Sequence, residues 1–418
     1  MSPLSASAIA AERVDHLDQA FEQLPAVAPA PVRLLLVTDT SIAFSGGSER
    51  FLRNLAALLP RERYLITVVQ LDPGLHPEVK THLLSGLQHI TQVNLPVKAV
   101  YGRGGRQAWR QLKALVSQGQ FDIVQSHHEK SDLLNALLPL PSGCVRVSNR
   151  RDMGHNKSRK MRWLSRMVNH RYDCVIAPSQ PILSTLSRTE ALQGSRMLWI
   201  PNGVDTQRFR PWQESGRSAV RHSLGLDQGA IAFGCIARMT AEKRHGDLVS
   251  AFARVYAQVP QARLFLIGDG PLQGQVQGQI AGLGLTGAVK LMGMRPDIES
   301  LLPALDIGLL VSSTEGMSNA ILEMMSCGLP VIASAVGGNP SLVQHEVTGL
   351  LVPPCQPELL AQAMISLATR PEPRRSLGQA ARSRITRDFS LDAMVHAFDQ
   401  AYQQLLAMKG MKSSTGAP

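Results

Sequence analysis

The sequence predicts an α/β protein with two similar domains, each built around a parallel β-sheet. The chain has 418 residues, the length of two ordinary domains. Short apolar segments alternate with helix-like segments, which is the pattern of parallel βαβ units. After Ile200-Pro201-Asn202-Gly203 the same alternation starts again. We therefore expect two facing domains with a deep cleft between them, where ligands bind at the carboxyl ends of the strands.

The first part of the chain divides into an arm and a domain. Residues 1–31 are rich in Ala, Pro and Ser, and we interpret them as an N-terminal arm. Residues 32–200 form the first expected domain. Its segments are strands at 32–38, 64–70, 121–125, 144–148 and 173–177, and a helix at 48–59.

Residues 201–390 form the second expected domain. Its segments are strands at 231–236, 263–267, 289–292, 307–311 and 330–333, and helices at 247–258 and 319–327. A last helix covers 391–408, and the sequence leaves open whether it crosses back to the first domain. The polar tail 409–418 is expected to fray.

The composition is that of a basic globular protein. Apolar residues make up 44%, and the formal net charge of +11 favours anionic partners such as phosphates, nucleic acid or anionic lipid. No run of 18 apolar residues occurs, so a membrane-spanning helix is not expected. The N-terminus lacks the pattern of a secretory signal, and the five cysteines form no Cys-x-x-Cys pair. We therefore expect a cytoplasmic protein with reduced thiols, and the oligomeric state stays open.

Two glutamates flank the start of a helix in the second domain. Glu315 follows the strand at 307–311, and Glu323 lies in the second turn of the helix at 319–327. Carboxylates accept paired hydrogen bonds from the vicinal diols of sugars and ribose, and the free amides of residues 317–319 can donate to hydroxyls or an anion. The simpler alternative is one acid that complements the helix dipole and one solvated acid.

A pair of cations follows another strand of the same domain. Arg238 and Lys243 lie around the turn after the strand at 231–236 and before a helix. A guanidinium and an ammonium that converge there can hold a diphosphate. Ordinary surface charge on a loop is the alternative.

In these residues and in the motifs given below, the sequence resembles the retaining glycosyltransferases of family 4 (glycosyl transferases group 1), whose GT-B fold has two facing Rossmann-like domains. The resemblance covers about residues 32–400 and is stronger in the second half. The matching motifs are Gly46-Gly47-Ser48-Glu49-Arg50, Asp122-Ile123-Val124-Gln125-Ser126-His127, Pro201-Asn202-Gly203-Val204-Asp205, Arg238 with Lys243, Gly268-Asp269-Gly270-Pro271, Gly293 with Asp297, and the segment from Glu315 to Glu323.

The resemblance implies a nucleotide-sugar donor and a sugar or lipid-linked sugar acceptor, as in the synthesis of cell-surface polysaccharides or glycolipids. Arg238 and Lys243 would bind the diphosphate, Glu323 the ribose and Glu315 the donor sugar. The implied catalytic residues are His127, Arg238, Lys243 and Glu315. The implied donor-binding residues are Gly46, Gly47, Arg238, Lys243, Glu315, Gly316, Met317, Ser318, Asn319 and Glu323. Because His128 is adjacent to His127, which of the two faces the site stays open.

The mechanism implied by the resemblance is transfer with retention, by attack of the acceptor on the face that the diphosphate leaves. The sequence contains no Asp-x-Asp, the usual metal-bridging pair of carboxylates. Fixed cations and helix dipoles can instead stabilise the charge of the leaving group. We therefore expect a metal-independent enzyme with no cofactor.

Most of the net positive charge comes from residues 146–171, which hold nine Arg or Lys and one acid. On an expected helix over 158–170, Arg159, Arg162 and Arg166 share one face, with Met161, Leu164 and Val168 opposite and Trp163 and Met167 on the flank. This pattern indicates contact with an anionic membrane or a lipid-diphosphate acceptor, or else an ordinary surface helix. Arg150 and Arg151 follow a strand and are candidates for acceptor contacts.

Three other functions fit parts of the sequence. A nucleotide-sugar epimerase would share the architecture but need no acceptor. A nucleic-acid-binding protein fits the basic segment, although aromatic residues are only 5% and no nucleic-acid-binding motif is present, so we expect no nucleic acid. A dinucleotide-dependent oxidoreductase is disfavoured because no Gly-x-Gly-x-x-Gly follows the first strand.

Overall fold

The computed structural model describes residues 30–43, 46–72, 86–100, 102–151, 159–192 and 196–414. The expected arm therefore lies outside the described residues, apart from residues 30 and 31. The elements of the first domain, in chain order, are β1 Val32–Thr38, α1 Gly47–Leu58, β2 Tyr64–Gln70, β3 Thr91–Asn94, α2 Arg103–Gly119, β4 Ile123–His127, α3 Glu129–Leu137, β5 Val145–Asn149, α4 Arg159–Val168, β6 Cys174–Ala177, α5 Gln180–Glu190 and β7 Met197–Trp199.

The second domain repeats the alternation, and a long helix follows it. Its elements are α6 Glu214–Ser223, β8 Ile231–Ile236, α7 His245–Gln258, β9 Ala262–Ile267, α8 Gln273–Gly282, β10 Val289–Gly293, α9 Ile298–Leu301, β11 Ile307–Leu310, α10 Asn319–Ser326, β12 Val331–Ser334, α11 Asn339–Leu342, β13 Gly349–Val352, α12 Pro357–Thr369 and α13 Pro371–Asp388, and the chain then continues into α14 Leu391–Ser414.

Each domain holds one parallel sheet, so the predicted fold class is confirmed. In the described residues the strand orders are β3-β2-β1-β4-β5-β6-β7 and β10-β9-β8-β11-β12-β13. The order reverses between β1 and β4 in the first sheet and between β8 and β11 in the second. Such a reversal opens a crevice at the carboxyl ends of the strands, where ligands of open α/β sheets bind.

Both sheets are covered on both faces, which explains why their central strands are almost continuously apolar. Leu34, Leu35, Leu36 and Val37 of β1 are all inaccessible to solvent. Their alternate side chains enter two different apolar clusters, one on each face of the sheet.

Helix α14 continues from the second domain but packs on the first. Its start is tied to the segment between the domains by a bridge between Val204 and Ser390. Further along, the Phe398 ring lies 5.5 Å from that of Phe51 in α1. Lys409 Nζ then lies 2.8 Å from Asp173 Oδ1, beside β6. The helix therefore links the two domains a second time.

The structure corrects some of the expected bounds. Strand β4 ends at His127 rather than at residue 125, because Gln125, Ser126 and His127 are buried and pair with both neighbouring strands despite being polar. Strands β3, β7 and β13 are not predicted from the sequence, because they are edge strands of three or four residues without a buried apolar run.

Candidate active site

Loops that follow strands of the two sheets meet between the domains. Arg50 of α1 forms an ion pair with Glu323 of α10 across this boundary. A Cβ atom built on Gly316 would lie 2.9 Å from the carbonyl oxygen of Arg151, which follows β5. Residues from the two halves of the sequence therefore meet at one shared cleft.

The N-termini of α1 and α10 approach each other closely. A Cβ atom on Gly47 would lie 3.0 Å from Asn319 Nδ2, so a larger residue at Gly47 would displace the Asn319 amide. Asn202, in the segment between the domains, donates from Nδ2 to Asn319 Oδ1 at 2.9 Å. Ser318 caps α10 by accepting from the Ile321 amide at 3.3 Å. Two partially positive helix ends thus face the same space.

Glu323 is buried near the start of α10, with 6% of its surface exposed. Burial raises its pKa, and the neighbouring Arg50 guanidinium opposes that shift. Arg50 itself is partly exposed. The predicted ribose-binding carboxylate is therefore held by a cation from the other domain.

Lys243 and Glu315, which the sequence assigned to different parts of a donor, form an ion pair. Ser312 Oγ also donates to Glu315 Oε1 at 2.7 Å. The loop after β11 is joined to the loop after β8, because the Ser313 amide donates to the Glu242 carbonyl at 2.8 Å. These contacts bring the second-domain acid and cation to one place.

Arg238 lies on the turn after β8 with its side chain exposed and, among the described residues, without an ion pair. Two glycines brace this turn from behind. Gly268 and Gly270 both have positive φ angles, of 127° and 155°. A Cβ atom on them would lie 2.3 Å from the Ala237 oxygen and 2.6 Å from the Met239 oxygen. The motif Gly268-Asp269-Gly270-Pro271 thus shapes the loop that carries Arg238.

His127 and His128 stand at the carboxyl end of β4 in different environments. The His127 ring is buried, lies 6.1 Å from the Phe51 ring and joins Gln125 Nε2 through its Nε2 at 3.0 Å. Burial lowers the pKa of His127 well below its ordinary value, and the nearby Arg151 adds to the shift. His128 has a φ of 75° and its Nδ1 lies 3.5 Å from Thr38 Oγ1 at the end of β1.

The prediction of Arg150 as an acceptor contact is wrong. Arg150 is 5% exposed, and its guanidinium lies 2.6 Å from Asp132 and 2.7 Å from Glu190 inside the first domain. Asn169 Oδ1 accepts a further hydrogen bond from it at 3.0 Å. Two buried carboxylates therefore neutralise the charge of Arg150, and its burial keeps ligands away from it.

Arg151 points the other way, towards the cleft. Its guanidinium lies 3.7 Å from the centre of the Phe51 ring and donates to Asn202 Oδ1 at 2.6 Å. Burial lowers its pKa to about 9. Within the described ranges no carboxylate lies in ion-pair distance of it. Phe51 and Asn202 had no predicted role, because their function is to hold a residue distant in sequence.

Helix α4 is exposed along its basic side. Arg159, Arg162 and Arg166 are exposed, whereas Met161, Leu164 and Val168 are half-buried. Trp163 and Met167, predicted on the flank, are 60% and 53% exposed. Two large apolar side chains thus stand among the cations. In the described part of the chain, no helix is both long and apolar enough to span a bilayer.

Two family models match the chain, one in each domain. The model described as Glycosyltransferase Family 4 matches residues 45–208, and the model described as Glycosyl transferases group 1 matches residues 217–384. Together they cover most of both domains.

Curated relatives match over part of their length. A GDP-mannose-dependent monoacylated alpha-(1-6)-phosphatidylinositol monomannoside mannosyltransferase of Corynebacterium glutamicum is 30% identical over 50% of this chain and 57% of its own. A UDP-Gal:alpha-D-GlcNAc-diphosphoundecaprenol alpha-1,3-galactosyltransferase of Escherichia coli is 27% identical over 58% and 65%. The chain thus spans between half and two thirds of the length of these relatives.

Solved structures confirm the GT-B fold. The Anabaena protein HepE, in complex with UDP, superposes with a TM-score of 0.78 at 22% identity, over 89% of this chain and all of its own. Sucrose-phosphate synthase from Thermosynechococcus elongatus gives 0.75 at 21% identity, over 90% and 100%. The two-domain arrangement predicted for residues 32–400 is thus that of known glycosyltransferase-type folds.

Proposed function

The chain belongs to glycosyltransferase family 4, and we propose that it transfers a sugar from a nucleoside diphosphate to an acceptor hydroxyl, with retention of the anomeric configuration. The observation that carries this proposal is the convergence of positive groups at one end of the cleft. Lys243, the exposed Arg238 and the N-termini of α1 and α10 all belong to loops at the carboxyl ends of the sheets. Such groups bind a diphosphate and stabilise it as a leaving group.

The carboxylates bind the hydroxyls of the donor. Glu323 takes the ribose diol once Arg50 releases it, and Glu315 takes the donor sugar. Glu315 already accepts from Lys243 and Ser312, which makes it a poor nucleophile. The family resemblance supports this division of roles, and HepE, which shares the fold, has been solved in complex with UDP-glucose.

The proposed reaction breaks the bond between the anomeric carbon and the diphosphate oxygen, and the bonding pair leaves with the diphosphate. The acceptor oxygen forms its bond to the same carbon from the same face, and its proton passes to the departing phosphate. No metal takes part, since Arg238, Lys243 and the helix ends supply the positive charge at the diphosphate.

The direct test is a screen of UDP-, GDP- and ADP-sugars with the full chain and simple acceptors, with the product identified by mass and its anomeric configuration by NMR. We expect a retained glycoside whose rate of formation is unchanged by EDTA. Turnover of the donor without an acceptor would identify an epimerase instead. Strong inhibition by EDTA would contradict the metal-free mechanism alone, and nucleic-acid binding without nucleotide-sugar binding would contradict the whole proposal.

Glu323→Ala is expected to weaken nucleoside diphosphate binding about 10- to 100-fold, the worth of hydrogen bonds to a charged group. Isothermal titration calorimetry measures this affinity directly. The control is Arg50→Ala, which breaks the same ion pair but keeps the carboxylate. Affinity within threefold of the wild type is expected for Arg50→Ala. Equal losses in both variants would mean that the contact between the domains matters, and not the ribose.

The acceptor is lipid-linked, and α4 brings the enzyme to the cytoplasmic face of the membrane. The exposed Trp163 and Met167 among Arg159, Arg162 and Arg166 form a surface suited to anionic headgroups, with apolar groups for the interface below them. The relatives whose names include phosphatidylinositol monomannoside and diphosphoundecaprenol support this acceptor class. Arg151, which forms no ion pair with another described residue, then meets an anionic group of the acceptor.

Vesicles containing anionic lipid should co-sediment the wild-type chain at low salt and release it at high salt. Arg159→Glu with Arg166→Glu should abolish binding, and Trp163→Ser should weaken it. The control pair is Arg375→Glu with Arg387→Glu on α13, which changes the net charge equally at side chains 73% and 72% exposed. If the wild type does not bind, or if the control variant loses as much vesicle binding, α4 is an ordinary surface helix.

A further inference from the structure

A chain of buried polar groups runs from α14 to His127. Tyr402 of α14 donates from its hydroxyl to Gln125 Oε1 at 2.9 Å, and Gln125 Nε2 lies 3.0 Å from His127 Nε2. Tyr402 and Gln125 are inaccessible to solvent, and His127 is 1% exposed. Gln125 and His127 are neighbours but one on β4, whereas Tyr402 is 277 residues from Gln125 in the sequence, and all three lie in the core between α14 and the first sheet.

The chemistry of these groups fixes the proton on the ring. A carboxamide accepts through its oxygen and donates through its nitrogen. Since the Tyr402 hydroxyl occupies the oxygen of Gln125, the amide nitrogen donates to His127. His127 Nε2 must then offer its lone pair, and the single proton of the neutral imidazole resides on Nδ1.

Nδ1 is the nitrogen that remains for a ligand. Among the described residues, His127 Nδ1 has no hydrogen-bond partner. It is also not one of the fully buried side-chain atoms that lack a partner, so it is not sealed off from solvent. The ring is framed by Phe51, over which the Arg151 guanidinium stacks at the edge of the cleft. The ring therefore lies next to the edge of the cleft, and Nδ1 is its one nitrogen without a hydrogen bond among the described residues.

We propose that Tyr402 and Gln125 are positioning residues, which hold His127 as the neutral Nδ1–H tautomer so that it donates a hydrogen bond to an oxygen of the bound sugar. His127 then acts as a donor and not as a general base. The identity of the partner oxygen rests on the proposed function, whereas the tautomer does not. The C-terminal helix thereby contributes to the site through Tyr402, which is buried in the core.

The tautomer can be read by ¹⁵N NMR of the full chain labelled at histidine, with His127→Gln identifying the resonances of His127. At pH 7 we expect a protonated Nδ1 and an unprotonated Nε2. Gln125→Glu should move the proton to Nε2, because a carboxylate can only accept. Tyr402→Phe should give a mixture of the two tautomers, because the amide is then free to turn.

The control is Tyr64→Phe. Tyr64 lies in the same core with its ring 6.0 Å from that of Tyr402, but its hydroxyl donates to Asp399 at 2.7 Å. It should lose similar stability and leave the tautomer unchanged. With a working donor and acceptor, Tyr402→Phe should lower kcat about tenfold with little change in the donor KM, and Tyr64→Phe should not.

Two results would overturn the proposal. One is a wild-type His127 that carries its proton on Nε2 or carries two protons at pH 7. The other is a Tyr64→Phe variant that shifts the tautomer as much as Tyr402→Phe does. The NMR readout requires no turnover, so an inactive preparation would contradict only the proposed function.

Discussion

Arg238→Ala is expected to lower kcat for sugar transfer by about 100-fold or more, the usual effect of removing one group that stabilises a developing anion. Arg238 stands exposed on the turn after β8, which Gly268 and Gly270 brace from behind. It forms no ion pair within the described residues, so its loss leaves no partner unpaired. The change should therefore appear in the rate and not in the melting temperature. Steady-state kinetics at saturating donor measure it.

The matched control is Arg244→Ala at the end of the same turn. Arg244 forms an ion pair with Asp247 at 2.8 Å, and this pair is local to the start of α7. Its removal should change kcat less than threefold. If Arg238→Ala retains most of the wild-type rate, Arg238 does not belong to the site, and the charge of the leaving group must be stabilised by Lys243 and the helix ends alone.

The central strands could be predicted from the sequence because burial on both faces leaves a readable apolar run. Strands β1, β2 and β8 have the predicted bounds. Edge strands lack that signal: β3 has exposed or half-buried side chains throughout, and β7 has three residues. The expected strand at 121–125 ends two residues before β4 does, because Ser126 and His127 are polar and only the tertiary structure shows that they are buried.

The chemistry of the second-domain site could be predicted from the sequence, because its charged residues all follow strands that end at the same edge of one sheet. These residues are Arg238, Lys243, Glu315 and Glu323. Their partners were not predictable. Arg50 and Glu323 are 273 residues apart, and only the packing of one domain on the other joins them. A local pattern contains no information about such a contact.

The neighbouring residues Arg150 and Arg151 show most directly that a local sequence pattern does not reveal tertiary contacts. Both follow β5 and both were predicted as acceptor contacts, yet they lie on opposite sides of the chain. Arg150 enters the core between Asp132 and Glu190, and Arg151 stacks on Phe51 beside the cleft. Which of two adjacent cations turns inward depends on where two buried acids lie, 18 and 40 residues away.

Arg150→Met is accordingly expected to lower the free energy of unfolding by about 3–5 kcal/mol, because it leaves two buried carboxylates without their counter-ion. Thermal and urea unfolding measure the loss. Arg151→Met is the matched control: it removes the same group one residue later but breaks no ion pair within the described residues, so it should unfold like the wild type and lose activity instead. Equal stability of the two variants would contradict the structural role of Arg150. A fully active Arg151→Met would show that the acceptor does not use its charge, and the pair of variants thus separates the two functions of one dipeptide.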